Sequence, residues 1–108
     1  MEPELMRLRT VESKQLRRVA GEAAIQPDAE TAEAMVATGR TKVISSWALV
    51  IDTAGWVQEV APMTSTGFIA YDVRIAAGLK SWQFEPFLDE DGFPVPIATT
   101  VTFVWKPA

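Results

Sequence analysis

The chain has 108 residues, enough for one domain and too few for two, and 48% of them are hydrophobic, so a core can form without disulfides or a metal. There is no cysteine and no histidine, which excludes a disulfide framework and removes both the usual general base near neutral pH and the commonest metal ligand. The net charge of -4 disfavours nucleic acid as a partner, and no apolar run approaches the roughly 18 residues of a membrane span.

The first 24 residues form an arm whose structure the sequence leaves open. Leu5, Leu8 and Val11 have helical spacing, whereas residues 15–19 are equally compatible with a short extended edge. The opening residues lack the charged-then-apolar order of a signal peptide, so either the protein is cytoplasmic or a targeting segment lies upstream.

Charge is distributed unevenly between this arm and the rest of the chain. Residues 1–18 carry five cations against three acids, and residues 19–108 carry five cations against eleven acids. A basic arm on an acidic body can contact lipid headgroups or a partner, but it can also be an ordinary solvated segment, which is the more common case.

A helix and then a hairpin are predicted after the arm. Asp28 is placed to cap the helix and Gly39 to end it. The hairpin consists of Val43–Ile51, a turn and a returning strand over residues 56–60, whose valine spacing predicts a bulge. Pro62 either ends that strand or places it at a sheet edge. The apolar stripe of the helix is formed by Ala29, Ala32, Met35 and Val36.

The second half of the chain predicts one more helix and one more long strand. Tyr71, Ile75 and Leu79 recur at helical spacing within Ile69–Lys80, and Ile97–Trp105 alternates cleanly as a strand. The element order is helix, strand, strand, helix, strand. We therefore expect residues 25–108 to form an α+β two-layer sandwich with two helices packed on one face of a small antiparallel sheet.

Chemistry-bearing residues do not assemble into a recognisable site. The serines have no histidine to activate them, and most of the acids fall in turns, where they are expected for local reasons. Residues 89–92 faintly resemble the start of a calcium loop, but the oxygens that such a loop needs do not follow. We expect no catalytic residue, no cofactor and no metal.

Two features favour a binding role instead. Trp56 follows the turn glycine Gly55, where a polar residue would be usual, so it either makes a partner contact or lies flat on the sheet. The final strand is threonine-rich on one face, which suits pairing with an extended peptide and equally suits an ordinary half-exposed strand. Trp47, Trp82 and Trp105 fall on apolar faces and are predicted to be core residues.

Trp82, Phe84 and Pro86 form a Trp-x-Phe-x-Pro signature, and other short segments stand in a fixed order around it. These segments are Gln26-Pro27 with the helix to Gly39, the strand–turn–strand of residues 49–57, the loop of residues 65–68, Tyr71-Asp72, Gly92-x-Pro94-Val95 and Val101-x-Phe103. The ordered set resembles the C-terminal domain of the TonB family, and it spans most of the chain from residue 26 onward.

The resemblance implies a periplasmic module that binds an extended peptide of an outer-membrane, TonB-dependent transporter and is tethered to an inner-membrane motor by an upstream anchor. Its partner-binding region would comprise Ile25 and Gln26, before the first helix, and the solvent side of the last strand at Thr100, Thr102 and Val104. The alternative is a TonB-like scaffold or adaptor in another cell-envelope assembly, or a homodimer that forms through the same sheet edge.

Overall fold

Strands of alternating burial build the main sheet of this α+β protein. The computed structural model describes residues 8–107. Its main sheet contains four strands, β1 (Arg9–Thr10), β3 (Val43–Ile51), β4 (Val57–Thr64) and β6 (Ile97–Trp105). They lie in the order β1-β6-β3-β4, with β3 antiparallel to both β6 and β4 and β1 parallel to β6.

The prediction of a purely antiparallel sheet is wrong, because the arm contributes a parallel strand. In β1, Arg9 lies opposite Ile97 and Thr10 opposite Ala98, and the Val11 N–H donates to the Ala98 carbonyl at 2.9 Å. A strand of two residues shows no periodicity, so a pattern search has nothing to detect there.

A second, two-stranded sheet was also not predicted. It pairs β2 (Arg18–Ala20) with β5 (Gln83–Phe84) in antiparallel fashion. A short 3-10 helix, Ser13–Gln15, connects β1 to β2. The arm therefore lies against the body of the protein from residue 9 onward.

The first helix, α1 (Ala29–Ala37), begins and ends as predicted. The Asp28 side chain accepts a hydrogen bond from the Thr31 N–H at 2.7 Å, and Gly39 follows the helix with a positive φ of 79°. The predicted stripe is only partly correct. Met35 is fully buried and Ala32 half-buried, but Ala29 and Val36 are exposed.

The second helix, α2 (Ile69–Lys80), is held at its start by a side-chain network. The Asp72 carboxylate accepts hydrogen bonds from Ser65 and from both the N–H and the hydroxyl of Thr66. Partial burial alone would raise the pKa of Asp72, but the bonds from Ser65 and Thr66 outweigh it and lower that pKa below its ordinary value. The loop before α2 is thereby fixed to its first turns.

One hydrophobic cluster joins the sheet to both helices. Trp47, Leu49 and Val101, on one face of the sheet, belong to the same cluster as Met35 of α1 and Ile75 of α2. Burial of each large apolar side chain contributes about 1.5–3 kcal/mol to folding. The opposite face of the sheet carries residues that are exposed or half-buried.

The tryptophan predictions are confirmed for the core. Trp47 is 2% exposed, Trp82 7% and Trp105 9%. These three rings anchor the sheet, β5 and the end of β6 to the single cluster.

The returning strand of the hairpin was predicted to cover residues 56–60, but β4 continues through Pro62 to Thr64. Pro62 is accommodated because β4 is an edge strand, which is one of the two outcomes expected for it. Val50 lies opposite Glu59 and Ile51 opposite Val57, so β4 has one extra residue there, which confirms the predicted bulge. The register shifts a second time between Ser46 and Trp47. Neither helix in residues 8–107 is long and apolar enough to cross a membrane.

A candidate peptide-binding edge

The two faces of β6 differ as the alternation predicts. Ile97 and Val101 face the core, whereas the side chains of Thr100, Thr102 and Val104 are exposed on the solvent face. The Thr102 hydroxyl lies 3.1 Å from the Ser46 hydroxyl on the neighbouring strand. The predicted solvent-side residues therefore form one row on the sheet surface.

The backbone of the same three residues points to the outer edge of the sheet. The Ala98 carbonyl faces outward, because it accepts from Val11 of the arm. Backbone groups alternate sides along a strand, so Thr100, Thr102 and Val104 also direct their N–H and C=O groups away from β3. Within residues 8–107, no hydrogen bond occupies these outward groups.

A cleft of about 320 Å³, here called the edge cleft, runs beside this open part of β6. One wall is β6 itself, and the other is the arm after it has left the sheet. The lining residues are Ser13, Leu16, Arg18, Ala23, Trp82, Phe84, Val101, Thr102 and Phe103.

Aromatic rings form the floor of the edge cleft. Trp82 packs edge-on against both Phe84 and Phe103, with each pair of ring centroids 6.0 Å apart. The Trp82 indole N–H donates to the Glu22 carbonyl at 2.9 Å, which ties the floor to the arm. The Arg18 guanidinium lies 5.2 Å from the centroid of Trp82 and donates to the Gly21 carbonyl. The floor is therefore aromatic, and its two nearest polar side-chain groups, the Trp82 indole N–H and the Arg18 guanidinium, are both bonded to backbone carbonyls of the arm.

A second concavity, the terminal pocket, lies between α1 and the end of β6. It is open to solvent and has a volume of about 540 Å³. Trp105 and Gln26 both contribute to its wall, so it connects the end of the strand with the residue before α1. The lining residues are Gln26, Ala32, Glu33, Val36, Ala37, Trp105, Lys106 and Pro107.

Ion pairs consume part of the basic charge of the arm. Arg9 pairs with Glu90 at 2.9 Å, Lys14 with Glu12 at 3.2 Å and Arg17 with Glu85 at 3.6 Å. Two of these pairs, those of Arg9 and Arg17, join the arm to the acidic body. The basic residues of the arm and the acidic residues of the body therefore attract each other within the same molecule.

The sequence-predicted site residues do not all come together. Ile25 is 4% exposed and belongs to the core, and its carbonyl accepts the Tyr71 hydroxyl at 2.7 Å. Burial raises the pKa of Tyr71 above its ordinary value. Gln26 is exposed and lines the terminal pocket, and its role as a contact residue stays a prediction. Ile25, in contrast, is a core residue and is not open to direct contact with a partner.

Trp56 lies apart from the open edge. The residue is 46% exposed, and its backbone N–H donates to the Asp52 carboxylate at 2.9 Å within the hairpin turn. It bridges to Gln83 of β5, and it lines neither the edge cleft nor the terminal pocket. The role of Trp56 as a contact residue stays a prediction, and any such contact would lie on a different surface from the open part of β6.

Several lining residues were not anticipated from the sequence. Leu16, Arg18 and Ala23 reach the edge cleft only because β1 and β2 fold the arm back along β6. The signal for Leu16 and Arg18 was the apolar and basic content of residues 8–19, which could not be assigned to one conformation, and Ala23 had no signal of its own. In the described part of the chain, no group of three acidic side chains is placed to hold a metal ion.

Comparison with known proteins gives no assignment for this chain. No protein-family model matches it, and no curated protein matches it.

Proposed function

We propose that this domain is a non-catalytic, periplasmic protein-binding module that takes up an extended peptide by β-strand addition to β6. In this proposal the peptide belongs to an outer-membrane, TonB-dependent transporter, and an upstream anchor connects the domain to an inner-membrane motor. The resemblance of residues 82–86 and the surrounding segments to the TonB C-terminal domain supports this choice of partner.

The observation that carries the proposal is the open edge of β6. Thr100, Thr102 and Val104 direct backbone groups that have no partner among residues 8–107 along the same line on which β1 pairs with Ala98. The arm thus already shows that a strand fits against this side of β6. A peptide would extend the line that β1 leaves at Val11.

Backbone pairing alone would give weak binding. Each hydrogen bond contributes a net gain of about 1 kcal/mol, whereas association costs about 4–15 kcal/mol. Side chains of the peptide must therefore supply the remainder, and the edge cleft and terminal pocket are the concavities beside the open edge that can receive them.

Thr102→Pro tests the proposal. The Thr102 N–H faces outward, so proline removes a donor from the open edge without removing a bond between β6 and β3. We expect the variant to fold and to lose at least about tenfold in affinity for transporter-derived peptides, or roughly 1.4 kcal/mol. The measurement is an NMR titration of the labelled domain, with Thr102→Val as the control that keeps the N–H.

Peptide binding should shift the amide signals of residues 100, 102 and 104, both in the wild type and in Thr102→Val. Unchanged affinity in a folded Thr102→Pro variant would contradict strand addition at this edge. Shifts confined to the neighbourhood of Trp56 would instead place the peptide at the hairpin turn.

A second candidate function is a scaffold or adaptor module that pairs with a copy of itself. The same open edge favours it, because two identical edges can pair antiparallel about a two-fold axis. This alternative needs no transporter peptide.

A further inference from the structure

The register of β1 explains why the arm leaves the sheet. Arg9 lies opposite Ile97, so Val11 comes opposite Thr99 and faces the core, where it is 4% exposed. The next inward positions of a continued strand would be Ser13, opposite Val101, and residue 15, opposite Phe103. Both are polar, and the chain forms a 3-10 helix at this point instead of continuing along β6.

Aromatic rings lie beside the vacated positions, although polar groups, including the Arg18 guanidinium, also line the edge cleft. An inward side chain opposite Val101 or Phe103 would enter the edge cleft, above the ring of Trp82. An inward side chain two residues further along would lie beside Trp105, at the terminal pocket. Side chains of an added strand alternate between the two faces of a sheet, so these two concavities face the same side of the peptide.

The solvent side of the added strand has the opposite character. There the neighbours would be the exposed Thr102, whose hydroxyl lies beside that of Ser46, and the exposed Thr100, whose hydroxyl donates to the Met63 sulfur. Polar side chains of a peptide keep their hydration at these positions, so placing them there carries no desolvation cost.

We infer that the open edge selects extended peptides with apolar side chains at alternate positions, which fill the edge cleft and the terminal pocket, and polar side chains between them. This inference rests on the proposed strand addition and specifies its ligand chemistry. The arm itself fails this rule at Ser13 and Gln15, which leaves the edge open for a peptide that satisfies it.

Two synthetic peptides of identical composition test the rule. Both have the same flanking residues, and their centres read Val-Thr-Val-Thr-Val and Val-Val-Val-Thr-Thr. The alternating peptide can direct all its valines inward, whereas the blocked peptide cannot in any register. We expect the alternating peptide to bind at least about fivefold more tightly by NMR titration, since alternate side chains determine specificity in strand addition.

Ala23→Phe and Ala24→Phe form a matched pair of variants. Both alanines are exposed neighbours, but only Ala23 lines the edge cleft. Phenylalanine at position 23 fills the cleft and should abolish the preference for the alternating peptide, whereas the change at position 24 should leave it intact.

The outcomes separate the two proposals. Equal affinities for both peptides, with shifts at the Thr100, Thr102 and Val104 amides, would overturn the alternation rule and leave strand addition in place. No shift of these amides with either peptide would overturn strand addition and the rule with it. A preference that survives Ala23→Phe would also overturn the assignment of the edge cleft as the selecting site.

Discussion

At the residue scale, Thr99 stands out because it is buried without a polar partner. Its side chain is on the inner face of β6, and the residue is 2% exposed. Among the described residues, its hydroxyl is the buried side-chain oxygen that has no hydrogen-bond partner. Ser45 on the next strand is the contrast, because its hydroxyl accepts from the Trp47 indole at 3.1 Å.

Thr99→Val should stabilise the domain by about 1 kcal/mol. Valine has the same branched shape, and it removes an unpaired hydroxyl whose desolvation costs about 1–3 kcal/mol. The free energy of unfolding in urea is the measurement. A loss of stability would mean that the hydroxyl has a partner, such as a bound water.

Ser45→Ala serves as the opposite control for that experiment. It deprives the buried Trp47 N–H of its acceptor and should destabilise the domain by about 1–3 kcal/mol. Opposite signs for the two variants would show that pairing, and not mere removal of a hydroxyl, decides the outcome.

At the element scale, α2 is shaped by what packs against it. Gly78 lies inside the helix, where glycine costs about 1 kcal/mol relative to alanine. A Cβ at this position would come 2.7 Å from the Ile25 Cδ1 and 3.2 Å from its Cγ1. The helix therefore carries a glycine where the buried segment before α1 crosses it.

Gly78→Ala should destabilise the domain despite the better helix propensity of alanine. The added methyl group needs the space that Ile25 occupies, and overpacking a core costs about 1–3 kcal/mol. Ile25→Val removes the closest carbon, so the double variant should be less destabilised than the sum of the single ones. A double-mutant cycle in urea measures this coupling, and strict additivity would contradict the contact.

Long elements were predictable from the sequence and short ones were not. Nine alternating residues in β3 and β6, and the stripe of α2, define a period and a buried face. The two-residue strands β1 and β5 define none, and their pairing depends on contacts distant in sequence. The row from Thr100 to Val104 was therefore foreseen, whereas the cleft wall built by the arm was not.

At the scale of the whole molecule, the two edges of the main sheet differ. The β4 edge is interrupted by Pro62, which has no N–H, and by two register shifts. Both features hinder pairing with another strand. The β6 edge is paired with β1 at its first residues only and has a regular register with β3 from Thr100 to Val104.

Self-association at high concentration should therefore stop at the dimer. Pairing of two copies through β6 would occupy the one regular open edge that the described part of the sheet offers. Light scattering over a series of concentrations should show monomers and dimers, and Thr102→Pro should lower the dimer fraction. Larger species with regular growth would contradict this asymmetry.

Because Pro62 and the two bulges disrupt the β4 edge, the described main sheet has one edge that is suited to pairing with another strand. A molecule with two matching edges can stack without limit, and each added copy exposes a fresh template for the next. If a peptide or a second copy pairs with the β6 edge, only the interrupted β4 edge of the described main sheet is left. We therefore expect such a pairing to end strand stacking, even at high local concentration.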